Sequence, residues 1–160
     1  MRWFQWIDRN LWSVPVIVFL SVWAATVLWS AASSKPVLLA AAAVASRQAV
    51  YSSLTGSAGA FFAAALAVVA ILVVFPRLSE TSAEQALARA RARVVSVLLA
   101  ASGFLVTVVV VATTAMAIDA KPIGNTVITS LIEASAAASV IGLLVGGFGL
   151  ALVIVERSRK

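Results

Sequence analysis

An all-α membrane protein with four transmembrane helices is the architecture this sequence predicts. Three observations carry the prediction. Of 160 residues, 62% are hydrophobic and only 11% are charged, against roughly 45–50% (glycine included) and about 25% in a soluble domain. The mean hydropathy is +1.07. Four uncharged stretches approach or exceed the ~20 residues that cross a hydrocarbon layer of about 30 Å: residues 11–32, 58–75, 94–118 and 134–155. This composition excludes a disordered chain and a soluble globular domain. Residues 1–160 read as one membrane domain, with too few polar residues left for a second, soluble one.

The first span follows a basic start, Arg2 and Arg9, and Ser30-Ala31-Ala32 resembles a small-residue cleavage site. Its apolar run is longer than the usual 7–15 residues of a signal peptide and contains Trp23 and Trp29, so an uncleaved anchor is expected. All five tryptophans lie within the first 30 residues. Trp12 and Trp29 are about 25 Å apart along a helix, which suits indoles at opposite interfaces. Trp3 and Trp6, with Phe4 between them, suit a short surface helix; a partner-binding aromatic face is the sharper alternative.

Residues 37–45 are apolar but reach only about 13 Å as a helix, too short to cross. They read as an interfacial or re-entrant helix, or as an extension of the second membrane helix. Arg47, Gln48, Ser52, Ser53 and Thr55 follow. The polar loop 76–93 separates spans two and three. Its Thr81-x-x-Glu84 reads as a capping box, so a helix is expected from near Ser82, running into span three.

Charge placement tests this plan. Arg2, Arg9, Arg77, Arg89, Arg91, Arg93, Arg157, Arg159 and Lys160 fall on one side. Only Lys35, Arg47 and Lys121 fall on the other. Nine against three follows the positive-inside rule with both termini cytoplasmic. The net charge of +6, which in a soluble protein suggests nucleic acid, is read here as topological. The implied partners are anionic headgroups, met by Arg77, Arg89, Arg91 and Arg93; no nucleic acid is expected.

Small residues mark packing faces, because lipid tails supply no hydrophobic drive between helices and close backbone approach must replace it. In the fourth span Ala134, Ala138, Gly142 and Gly146 are each four apart, and Gly103 belongs to a comparable stripe in the third. They read as packing within the chain or as a self-association face. Intramembrane ionisable groups would mark a transport path, and none is expected deep in a span. Glu133 is the nearest candidate. In a helix starting near Pro122 it lies about 17 Å along; it reads as an interfacial, solvated carboxylate, with entry into the bilayer opposite Arg47 as the sharper alternative. Asp119 and Lys121 read as ordinary loop charges.

Enzyme chemistry finds no footing. The chain has no His and no Cys, which removes the commonest general base, the commonest metal ligand and all thiol chemistry. No nucleophile has a paired acid, no ligand cluster is present and no Gly-rich phosphate loop carries a Lys. Catalytic, cofactor-binding and metal-ligating residues are therefore expected to be none.

Two segments carry a resemblance. One is Leu11-Trp12-Ser13-Val14-Pro15. The other is Arg47-Gln48-Ala49-Val50-Tyr51-Ser52-Ser53-Leu54-Thr55-Gly56, in a stretch leading to Phe75-Pro76-Arg77-Leu78. Over the first half, the chain is similar to uncharacterised bacterial predicted membrane proteins. The resemblance implies a bacterial inner membrane and brings no catalytic residues. The expected function is a non-catalytic scaffold or accessory subunit, self-associating or joined to another membrane subunit. The alternative is a small channel or pore-forming effector, lined by Ser and Thr or gated by an apolar constriction.

Overall fold

Each apolar stretch forms a helix in the computed structural model, which describes residues 10–33, 35, 36, 38–74 and 82–158. The described elements are α1 (Ser13–Ser33), the single-turn α2 (Leu38–Ala41), α3 (Val44–Val74), α4 (Ser82–Ile118) and α5 (Thr126–Ser158). Four of them are long and apolar enough to cross a membrane: Ser13–Ser33, Val44–Val74, Ala88–Ile118 and Thr126–Leu152. The expected helix from Ser82 into span three is present.

Besides α4, two helices start earlier than hydropathy suggests. α5 starts at Thr126 because Asn125 caps it: its side-chain oxygen accepts from the backbone N–H of Val127 (3.0 Å) and Ile128 (3.3 Å). α3 starts at Val44, and its polar first turns find partners across the bundle. The described part of the ambiguous run, residues 38–45, thus divides between the one-turn α2 and the beginning of α3. No Gly or Pro marks the break, since Ala42 and Ala43 occupy it. A local contact sits at the break: the Arg47 side chain donates to the Ala42 carbonyl while the Arg47 backbone N–H continues the helix onto Ala43 O at 2.9 Å.

α4 and α5 are antiparallel and central; α3 packs on α4, and α1 packs chiefly on α5. α1 and α3 are not packed together, so the four long helices form an open bundle. α1 touches α4 through a stacked Phe19–Phe104 pair, centroids 5.2 Å apart. The expected small-residue stripe of α5 lies inside the bundle: Ala134, Ala138, Gly142 and Gly146 are buried. A Cβ on Gly142 would stand 2.8 Å from Ala101 Cβ and 3.0 Å from Pro15 Cγ. One on Gly146 would stand 2.6 Å from Leu98 Cδ2. Three helices meet at Gly142, and the Gly142–Gly146 face is filled by α4 and α1 of the same chain. Gly103 is exposed, with open space where its Cβ would be.

Large apolar side chains cover the outside, Leu20, Trp29, Phe61, Val110, Leu144 and Phe148 among them. A soluble protein rarely exposes so continuous an apolar surface, and a bilayer removes the conflict. Hydroxyls facing outward are satisfied locally: Thr113 donates to Val109 O (2.7 Å) and Thr114 to Val110 O (2.8 Å). Inside the bundle, the Ser102 and Ser135 hydroxyls have no partner among the described residues.

The register at Gly142 has a testable consequence. Gly142→Ala is expected to cost about 1–3 kcal/mol by overpacking against Ala101 Cβ and Pro15, while Gly147→Ala, where the space is open, does not lower stability. Unfolding in mixed micelles, followed by tryptophan fluorescence, compares the two, and equal stabilities would contradict this packing.

Candidate functional site

The polar residues that follow the first span gather at one end of the bundle. α3 and α4 run antiparallel, so the start of α3 lies beside the end of α4 and the loop after it. Arg47, three residues into α3, faces Asp119, the first residue beyond α4. Their side chains are 0% and 3% exposed. Arg47 Nε donates to Asp119 Oδ2 at 3.0 Å and Nη2 to Oδ1 at 3.2 Å, a two-point pairing that fixes the guanidinium plane.

The remaining donors are engaged as well. Nη1 donates to the carbonyls of Ala42 and Pro122, and Nη2 also donates to that of Lys121. A guanidinium has five N–H groups, and all five have acceptors here. Asp119 in turn accepts from the Tyr51 hydroxyl at 2.8 Å. Tyr51 lies one turn beyond Arg47 on α3, so both side chains reach the same carboxylate. Gln48 donates to the Met116 and Asp119 carbonyls at 3.4 and 3.1 Å. Met116 is in the last turn of α4 and Asp119 follows it directly, where carbonyls lack helical partners. The cation also stands at the negative end of the α4 dipole.

Two further contacts tie down the strand of chain carrying α2. The Leu39 N–H donates to Glu133 Oε1 (3.0 Å), and the Gly124 N–H donates to Ala40 O (3.0 Å). Gly124 has no room for a side chain: its Cβ would lie 3.0 Å from Arg47 Nε and 3.1 Å from Ala40 Cα.

The reading of Asp119 as an ordinary loop charge is thereby corrected. It is the buried counter-ion of Arg47, and the pairing was hidden by a separation of 72 residues. Lys121 is exposed. Glu133 does not pair with Arg47; it is half-buried and accepts from a backbone amide. Tyr51 and Gln48 were not singled out as site residues from sequence. Their i+4 and i+1 offsets from Arg47 were the available signal. Among the arginines at the opposite end, Arg89 is exposed and donates to Gln85 O at 3.2 Å. Arg91 and Arg93 are half-buried. Arg77, Trp3 and Trp6 lie outside the described residues.

Chemically, the cluster behaves as a clasp. A guanidinium whose five donors are occupied has none left for an anion. No three His, Cys, Asp or Glu side chains gather as a metal site among the described residues.

Breaking a buried pair leaves an uncompensated charge, so Arg47→Gln and Asp119→Asn are each expected to destabilise by about 3–5 kcal/mol. The double variant should fall well short of the sum. A double-mutant cycle in mixed micelles measures this, and strict additivity would refute the pairing. Glu133→Gln keeps its acceptor oxygen and should change stability by no more than about 0.5 kcal/mol; a loss comparable to that of the clasp variants would show that its charge matters.

Compared with known proteins, the chain matches no family model, no curated protein and no solved structure.

Proposed function

We propose that the chain is a small non-catalytic protein of a bacterial inner membrane, with both termini cytoplasmic, acting as a scaffold or accessory subunit through lateral helix contacts. The observation that carries this reading is the fully engaged guanidinium of Arg47. The most strongly polar cluster of the described bundle holds the fold together and offers no reactive group. Thr107, Thr113 and Thr114, which a pore would use as lining, donate to carbonyls of their own helix. That favours a lipid- or helix-facing role over a water-filled one.

The surface for lateral contact is the outer face of α3. Ser52, Gly56, Ala60 and Ala64, each four apart, are all exposed, and a Cβ on Gly56 would meet nothing within 4 Å. By contrast α1 turns Leu20, Trp23, Leu28 and Trp29 outward. Bulky side chains suit lipid, and small ones suit a neighbouring helix. The self-association expected along Gly142 and Gly146 moves, in this reading, to α3, because the glycine face is filled within the chain. At the other end, the exposed Arg89 suits anionic headgroups.

Two experiments test the reading. A reporter fused after Lys160 should be active only in the cytoplasm, and activity confined to the far side would overturn the orientation. Ala60→Cys should cross-link in native membranes, to a second copy or to another subunit, whereas Leu20→Cys should not. Failure of Ala60→Cys to cross-link, in a variant shown to be folded, would remove α3 as the contact face.

A further inference from the structure

We draw no further inference here: the strongest candidate, the outward stripe of small residues on α3 from Ser52 to Ala64, is an unpartnered face already used in the reading above, and nothing in the structure shows what covers it.

Discussion

An arginine with no access to water needs an acceptor for every N–H it carries, and one end of this bundle is arranged around that need. Removing a guanidinium from water costs several kcal/mol, recovered only with a counter-ion and good hydrogen bonds. Asp119 supplies the charge, and the carbonyls of Ala42, Lys121 and Pro122 supply the other acceptors. These groups come from both connections at that end, the one between α1 and α3 and the one between α4 and α5. A single side chain therefore joins two loops that are otherwise linked by the Gly124 N–H to Ala40 O bond. The split between α2 and α3, the absence of a side chain at position 124 and the docking of Leu39 on Glu133 all follow the same arrangement.

Much of the architecture was legible because hydropathy is a local property. Four apolar stretches became four long helices, and the helix expected from near Ser82 starts there; the Asn125 cap that starts α5 was not read from the sequence. The glycine face of α5 was also legible as a packing feature, since a four-residue spacing already puts side chains on one face. Its occupant was not, because Ala101 and Leu98 look like any other apolar residues of span three. The clasp was the hardest part to see. Asp119 is two residues from Lys121, so local reading pairs it with solvent, whereas its partner is on another helix. The four-span plan did contain the clue: it puts Arg47 and Asp119 at the same end of two antiparallel neighbours.

The helices do not share the load equally. α4 and α5 hold the close approaches, and at Gly142 a methyl would stand 2.8 Å from Ala101 Cβ. α3 relies on small residues such as Ala58 and Ala65 along the span, with its polar contacts concentrated at the clasp. α1 buries only Ser13 and Pro15. The hydroxyls of Ser102 and Ser135, without a partner among the described residues, lie on the central pair. Each such group costs about 1–3 kcal/mol, so the central interface holds despite a local penalty, through packing rather than polar bonds.

The unequal lengths of the helices set how well each would match membranes of different thickness. α1 has 21 residues, or about 31 Å at 1.5 Å per residue, which leaves no slack in a typical bilayer. α3, α4 and α5 have 31, 37 and 33 residues and run well past it. In a thicker membrane α1 is the helix that falls short, and in a thinner one it must tilt. With only Ser13 and Pro15 buried, it is the part of the molecule most easily displaced by such hydrophobic mismatch.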